Sequence, residues 1–241
     1  CAQYRDAIIV AVYSDRISAY ILEKNTAGTS VVAGATEEQE GGELNTEKIK
    51  LNCQKALQQL PREYMKSGMP IVFALGPGVS ECDFISVEAM REQKNTIISE
   101  NELKLVIAKT HDAKAPVEDT ATHDVPVGYS VDGFLVPNPV GLNGGKVVVH
   151  LISTSVSKAL EDVFSGIASL YGLRYGGVIN ICGLLVDAMP LFTQEADAVA
   201  VLIFQQEVVL VLVRGGKASA IGKVAGGYGI LEQEMSVSFS V

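Results

Sequence analysis

A chain of 241 residues, 48% of them hydrophobic, is long enough to form one large or two ordinary domains with a substantial core. Its net charge of −9 argues against a surface that binds the phosphates of nucleic acid. Four scattered cysteines and three histidines indicate neither a disulfide framework nor a metal site, which favours a cytoplasmic protein.

The first 75 residues predict three strands, a helix and a fourth strand. β-rich runs at 7–13, 17–22 and 29–36 are separated by short turns, which predicts an antiparallel meander. Apolar residues then recur at helical spacing from 46 to 60, and the run at 71–75 returns to the sheet.

The middle of the chain predicts a mixed unit. Its elements are a strand at 84–87, a helix at 99–110, a polar loop at 113–124, strands at 126–136 and 146–153, and a helix at 155–171. Ser99 is the expected N-cap of the first helix, with Glu102 completing a capping box. Gly172 is the expected C-cap of the second.

The last third resumes an α/β pattern. It predicts a strand at 178–181, an apolar helical segment at 182–191, a hairpin from 199–204 and 208–213, a strand at 218–224 and a helical start after the glycines at 226–229. The most apolar region, 198–213, is too short to span a bilayer and is interrupted by polar residues, so two buried strands explain it better.

Two histidines flank an acidic segment, and the third lies in a strand. His111 and His123 could hold an adventitious metal ion, but a solvated polar loop is the favoured interpretation. His150 is expected to be a hydrogen-bonded structural residue, and we predict no metal site and no catalytic residues.

The loop from Pro137 to Gly145 is unusually stiff. Asn138 stands between Pro137 and Pro139, which restrict its backbone, and three glycines then allow the chain to turn back. A stiff loop loses little entropy when it binds a partner, which favours an interaction surface. An ordinary long hairpin connection is the alternative.

The same stretch carries a family resemblance. The string Tyr129-Ser130-Val131-Asp132, then Asn138-Pro139-Val140-Gly141-Leu142-Asn143-Gly144, then the strand from Lys146 to Ser153 resembles the bacterial cell-division protein FtsA. In that family an Asn-Pro-Val-Gly-Leu-Ser-Gly loop lies in a subdomain inserted into an actin-like fold, and Asn143 here replaces the serine.

The resemblance implies an α/β fold of the actin/hexokinase-like (ribonuclease H-like) class with an α+β insert. On this basis the first actin-like domain comprises 1–78 and 175–192. The inserted SHS2-type subdomain comprises 79–174, with a small sheet and two helices. A second actin-like domain begins at 193–241.

The phosphate-binding motifs that the family would carry are degenerate. Where FtsA-like sequences have an acidic residue followed by Gly-Thr, this chain has Ala11, Tyr13 and Ser14, and only Arg16 keeps the charge of the family's lysine. The second hairpin has lost its acidic residue and its glycines, because Ile203 and Phe204 precede Gln205, Gln206 and Glu207 where the family has Asp-Ile-Gly-Gly-Gly-Thr. Seven residues make up the degenerate loops: Tyr13, Ser14, Asp15, Arg16, Gln205, Gln206 and Glu207.

These substitutions predict a protein that does not turn over ATP. The larger side chains would occupy the space of a phosphate, and Glu207 would repel it. No cofactor is therefore expected, although ATP with magnesium is what the resemblance would imply.

The resemblance predicts a cell-division scaffold that self-associates and recruits partners at the division site. The interaction residues are expected to be Asn138, Pro139, Val140, Gly141 and Leu142. FtsZ-like or other division proteins are the implied partners, at the inner face of the cell membrane, with membrane contact indirect or through a C-terminal segment. The alternatives are a PilM-like pilus-assembly adaptor that binds a peptide of a membrane partner, and an ATP-binding actin-like ATPase.

Overall fold

The computed structural model describes residues 6–25, 28–38, 45–113, 119–185, 195 and 197–230, with the backbone alone at 110–113. The strands are β1 Asp6–Val12, β2 Arg16–Asn25, β3 Gly28–Glu38, β4 Pro70–Leu75, β5 Glu81–Met90, β6 Thr120–Val131, β7 Phe134–Val136, β8 Lys146–Ser157, β9 Arg174–Asn180, β10 Ala198–Ile203, β11 Glu207–Arg214 and β12 Lys217–Ala225. The helices are α1 Thr46–Gln58, α2 Glu100–Ala113 and α3 Lys158–Leu170.

The chain divides into two compact units. Unit 1 draws its residues from Cys1–Glu81, Asp119–His123 and Thr154–Ile181, and unit 2 draws its residues from Cys82–Glu118, Asp124–Ser153 and Cys182–Val241.

Unit 1 is built on a five-stranded sheet of order β3-β2-β1-β4-β9. β1, β2 and β3 pair antiparallel, which confirms the predicted meander, and β4 and β9 run parallel to β1. The parallel strands are nearly continuous apolar runs because helices cover them, with Ile71 and Phe73 fully buried in β4.

Helices α1 and α3 pack together on this sheet. Asn45 caps α1 by accepting a hydrogen bond from the amide of Lys48 at 2.8 Å. The rings of Phe73 in β4 and Phe164 in α3 stack with their centroids 4.2 Å apart, and both side chains are fully buried.

The structure differs from two expectations about α3. The helix begins at Lys158 because β8 continues to Ser157, whose hydroxyl accepts from the Leu160 amide at 3.3 Å. It was also assigned to the inserted subdomain, yet its apolar stripe belongs to the core of unit 1. The end of the helix was predicted correctly, since Gly172 follows it with φ +64.

Unit 2 contains a four-stranded sheet of order β5-β8-β6-β7. α2 covers one face, where Leu103 and Val106 join Val147, Val149 and Leu151 of β8 in one apolar cluster. β6 and β7 form a hairpin closed by Asp132 and Gly133, which have φ of 49° and 89°.

The predicted polar loop at 113–124 was wrong over its second half. β6 begins at Thr120, so the segment through 124 is strand, while 114–118 lie outside the described residues. Polar side chains misled the prediction, because a strand needs only that its backbone groups be paired.

A second, three-stranded sheet of unit 2 has the order β10-β11-β12 and is antiparallel throughout. This confirms the predicted hairpin and final strand. Of the helix predicted at 182–191, residues 182–185 are helical and 186–191 lie outside the described residues. Within the described ranges, no helix is long and apolar enough to cross a bilayer.

Candidate functional site

The loop from Pro137 to Gly145 is ordered by its own hydrogen bonds. The Asn138 side chain accepts from the Val140 amide at 3.0 Å, and the Leu142 amide donates to the Pro139 carbonyl at 3.1 Å. Gly141 lies between these residues with φ of 89°, a backbone conformation that favours glycine. The residue order Asn-Pro-Val-Gly-Leu therefore encodes this turn locally.

The loop is also tied to the segment that precedes α2. The Gly141 amide donates to the Ile98 carbonyl at 2.9 Å, and the Ile98 amide donates to the Leu142 carbonyl at 2.8 Å. Ile97 and Asn143 form an isolated antiparallel bridge. The loop is thus one edge of a short two-stranded ribbon.

The buried side chain of Arg91 stabilises this ribbon by hydrogen bonds to its backbone. The sequence analysis did not predict this role for Arg91. Its guanidinium donates to the Gly144 carbonyl at 2.7 Å and to the carbonyls of Thr96 at 2.9 Å and Ile97 at 3.2 Å. It also holds both carboxylate oxygens of Glu102, at 2.6 and 3.2 Å. A single arginine after a strand carries no sequence signal for this role.

The prediction of a capping box at the start of α2 was half right. The Ser99 hydroxyl accepts from the amide of Glu102 at 3.1 Å, as a cap does. The Glu102 carboxylate pairs with Arg91, and the hydrogen bond from Arg91 lowers the pKa of this carboxyl. The Glu102 side chain therefore pairs with Arg91 and does not bond to the backbone amide of Ser99 as in a capping box, because a charge-assisted pair is stronger than that hydrogen bond.

Asp132 fixes the other end of the loop. Its carboxylate accepts from the Gly145 amide at 3.0 Å and from the Lys146 amide at 2.8 Å. Gly144 packs so closely on the Val131 side chain that a Cβ at this position would overlap it. Both ends of the loop are therefore held by specific contacts.

The loop held by these contacts exposes apolar side chains to solvent. Val140, Leu142 and Ile97 are 38%, 40% and 66% exposed, while Pro139 is buried and anchors the turn. An open groove of about 470 Å³ lies nearby, with Lys94, Asn143 and Lys146 among its lining residues. The five predicted interaction residues thus form one continuous turn, on which Val140 and Leu142 are exposed.

The first predicted phosphate loop is a tight turn in unit 1. The Tyr13 amide donates to the Arg16 carbonyl at 2.9 Å, and the Arg16 guanidinium lies over the Tyr13 ring at 5.0 Å from its centroid. The ring also packs on Gly76, where a Cβ would lie 2.7 Å from it. Burial raises the pKa of Tyr13, and Asp15 pairs with Arg16 at 3.5 Å.

The second predicted phosphate loop is the β10–β11 turn of unit 2. The Phe204 amide donates to the Glu207 carbonyl at 2.9 Å and closes it. The carbonyls of Phe204, Gln205 and Gln206 accept from the amides of Tyr228, Gly229 and Gly226, each at 2.9 Å. The backbone carbonyls of this turn therefore accept hydrogen bonds from residues 226–229, which follow β12. A phosphate site instead needs backbone N–H groups that point at the ligand.

Two histidines and two cysteines among the described residues take structural positions, whereas the side chain of His111 lies outside the described part of the chain. His123 lies in β6 with its Nε2 3.0 Å from the Glu161 carboxylate. His150 accepts or donates a 2.8 Å hydrogen bond with the Ser86 hydroxyl, as a structural histidine would, and burial lowers its pKa. Cys82 and Cys182, which are far apart in sequence, form a buried hydrogen-bonded thiol pair, and this bond lowers the pKa of Cys82.

No protein-family model and no curated protein matches this sequence. Among solved structures it is similar to a chain of the PilM–PilN type IV pilus biogenesis complex, with a TM-score of 0.61 and 16% identity over 98% of this chain and 66% of that one. The fold is actin-like. The predicted actin/hexokinase-like α/β class is confirmed, and the sheet order of unit 1 agrees with it.

Two further structures are more distant. One is a Bacteroides thetaiotaomicron protein with an actin-like ATPase fold, with a TM-score of 0.49 and 9% identity over 99% of this chain and 79% of that one. The other is the cytoplasmic domain of EpsL, an inner-membrane component of the Vibrio cholerae type II secretion system, with a TM-score of 0.42 and 12% identity over 95% and 74%. This chain spans 66% of the length of the chain it matches in the PilM–PilN complex.

Proposed function

We propose that this chain is an actin-fold adaptor that binds a protein partner and does not hydrolyse ATP. The loop at 137–145 carries the proposal, because Val140 and Leu142 stand exposed on a backbone fixed by Arg91 and Asp132. Apolar side chains held in place before binding lose little entropy when a partner covers them.

The absence of ATP turnover is supported by both degenerate turns. The Tyr13 ring packs on Gly76 beside the first turn, and the second turn carries the negative charge of Glu207 and engages its backbone carbonyls with 226–229. An actin-like ATPase needs carboxylates for magnesium and glycine-rich turns for the phosphates, and these residue types are missing at the expected positions.

The partner that we favour is a short peptide from a membrane component of a pilus-assembly system. One similar structure is a complex of PilM with PilN, and the likeness extends over 98% of this chain. On this proposal, residues from 79 to 153 form the inserted subdomain that binds the peptide, and 193–241 begin a second actin-like domain.

A self-associating cell-division scaffold is the second candidate. The Asn138–Leu142 sequence favours it, since this turn resembles the FtsA loop. FtsZ-like partners and a position at the inner face of the membrane would follow from that assignment.

The test is a titration of labelled peptides from a PilN-type partner, followed by fluorescence anisotropy. The double variant Val140→Asp with Leu142→Asp should weaken binding at least about tenfold, because it places two charges in an apolar contact. Leu105→Asp is the matched control, since Leu105 is an exposed apolar residue on α2 of the same unit.

Sedimentation velocity on the same three proteins separates the two candidates. Self-association that only the double variant abolishes would favour the division scaffold over the peptide adaptor. The proposed role of this loop would be contradicted if the wild type neither bound the peptide nor self-associated. It would also be contradicted if the double variant changed neither property.

A further inference from the structure

Two cysteines that are far apart in sequence are in contact in unit 2. The thiol of Cys182 donates a hydrogen bond to the sulfur of Cys82, and neither residue is in a disulfide. A disulfide can form only between sulfurs that already face each other, because the bond is about 2 Å long and constrains both side chains. The hydrogen bond therefore places these two thiols within reach of such a bond.

The backbone on either side holds the two cysteines together. β4 and β9 are parallel neighbours, with Leu75 in register with Asn180. Beyond the end of β4, the Ser80 hydroxyl accepts a hydrogen bond from the Asn180 side chain at 3.4 Å. Cys82 follows Ser80 into β5, and Cys182 follows Asn180 into a short helical stretch. The juxtaposition of the two thiols is thus supported by pairing that involves no sulfur atom.

The two thiols differ in how readily they lose a proton. The hydrogen bond from Cys182 lowers the pKa of Cys82, although burial opposes this effect. The charge of Lys223 also lowers the pKa of Cys82, while the carboxylates of Asp83 and Glu207 raise it. The same hydrogen bond and burial raise the pKa of Cys182. Because the thiolate is the reactive form, Cys82 is the sulfur that meets an oxidant first.

Burial limits the size of the oxidant. Cys82 is 4% exposed and Cys182 is 2% exposed, although Cys82 stands between the exposed residues Glu81 and Asp83 in β5. A bulky disulfide such as oxidised glutathione needs an accessible sulfur, whereas hydrogen peroxide is close to water in size. The small exposed fraction therefore selects hydrogen peroxide as the oxidant.

We propose that Cys82 and Cys182 are a peroxide-sensitive pair, which hydrogen peroxide converts to a reversible disulfide within the chain. The Cys82 thiolate attacks one oxygen of the peroxide, the O–O bond breaks, and the hydroxide that leaves is protonated to water. Cys82 is then a sulfenic acid. Cys182 releases its proton and attacks the Cys82 sulfur, the S–O bond breaks, and the second hydroxide is protonated. Two thiols and one peroxide thus give one disulfide and two waters.

The disulfide would close a long loop. A bond between positions 82 and 182 encloses about 100 residues, and a cross-link of this length mainly restricts the unfolded chain. The oxidised protein should therefore resist unfolding better than the reduced one. In a reducing compartment a bond of this kind is transient and responds to oxidant. The inference rests on other residues than the loop at 137–145 and stands whether or not that loop binds a partner.

Peptide mapping of the full chain after treatment with hydrogen peroxide tests the proposal. In a Cys1→Ser background, Cys53 serves as the internal control, because burial raises the pKa of its thiol to about 12. Mass spectrometry should find Cys82 linked to Cys182 in the monomer while Cys53 remains a thiol, and dithiothreitol should reverse the link. Oxidation should also raise the Tm by about 5 °C or more.

Two matched variants test the order of the steps. Cys182→Ser keeps a hydroxyl that can donate to Cys82 but cannot form the disulfide, so dimedone should trap Cys82 as a sulfenic acid. In Cys82→Ser, the Cys182 thiol should stay intact, and equal reaction of Cys182 would overturn the proposed mechanism.

The mapping of the parent chain is decisive even if a variant fails to fold. The proposal would be overturned if Cys82 and Cys182 stayed reduced while Cys53 reacted, or if they linked only in urea. Links found only between molecules would overturn it as well.

Discussion

Arg91 shows how one buried charge can organise a surface loop. Its side chain is 5% exposed and reaches three carbonyls and both oxygens of Glu102. A buried guanidinium is tolerated only when its donors are satisfied, and here the carbonyls of Gly144, Thr96 and Ile97 and the carboxylate of Glu102 satisfy them. The buried Arg91 thus helps to fix the positions of the exposed residues Val140 and Leu142, although Arg91 itself is not accessible to a partner.

Removing Arg91 should therefore destabilise unit 2 strongly. We expect Arg91→Ala to lower the free energy of unfolding by about 2–4 kcal/mol, because it leaves Glu102 and several carbonyls without a donor. Arg91→Lys keeps the charge but loses the two-pronged contact, so its loss should be intermediate. Urea unfolding checks both, and a change below about 0.5 kcal/mol in Arg91→Ala would contradict this role.

The Arg91–Glu102 pair should also make stability depend on pH. The hydrogen bond from Arg91 holds the pKa of Glu102 below its ordinary value of 4.5, so the folded state favours the ionised carboxylate. This contribution is complete above the unfolded pKa and is lost as the pH falls through the lower folded value. Wild type and Glu102→Gln should thus differ at pH 7 and converge as the pH falls through that lower value, in urea unfolding across this pH range. A difference that stays constant with pH would argue against the pairing.

At the scale of elements, α3 contributes to the core of unit 1. Its apolar stripe, with Leu160, Phe164 and Ile167 buried, packs on β4 and α1. Its opposite side is open, and a Cβ at Gly166 would meet no atom within 4 Å. Truncation of Phe164 should therefore destabilise the protein, whereas Gly166 can be replaced by a residue with a Cβ without a clash.

These two positions give opposite predictions. Phe164→Ala should cost about 3–5 kcal/mol through the cavity opposite Phe73, and Gly166→Ala should stabilise by about 0.5–1 kcal/mol through helix propensity. Thermal and urea unfolding measure both. If Phe164→Ala were nearly neutral, the packing of α3 on the five-stranded sheet would be wrong.

At the scale of the whole molecule, the actin-like fold is present while its usual ligand chemistry is not expected. A ligand at about a hundred times its Kd stabilises a protein by about 2.7 kcal/mol, which corresponds to several degrees in Tm. Binding of ATP would therefore be visible even without turnover.

On the proposed function, we expect ATP with magnesium at about 5 mM to shift the Tm by less than about 1 °C, because the Tyr13 ring and the charge of Glu207 would disfavour a bound phosphate. Differential scanning fluorimetry measures the shift, with magnesium sulfate at equal ionic strength as the control. A saturable rise of several degrees would revive the ATP-binding alternative.

The sequence by itself determined what depends on neighbouring residues. The antiparallel meander, the β10–β11 hairpin, the Gly172 cap and the turn at Asn138–Leu142 all follow from local periodicity and turn chemistry.

Only the tertiary structure decided what depends on residues far apart in the chain. In the tertiary structure α3 packs on the five-stranded sheet, and Glu102 pairs with Arg91 and does not complete a capping box. Cys82 lies beside Cys182, and one face of the three-stranded sheet is exposed. An apolar stripe or a charged side chain does not specify its partner, because several surfaces offer comparable burial or pairing. Which of them is used is settled by packing of the whole chain.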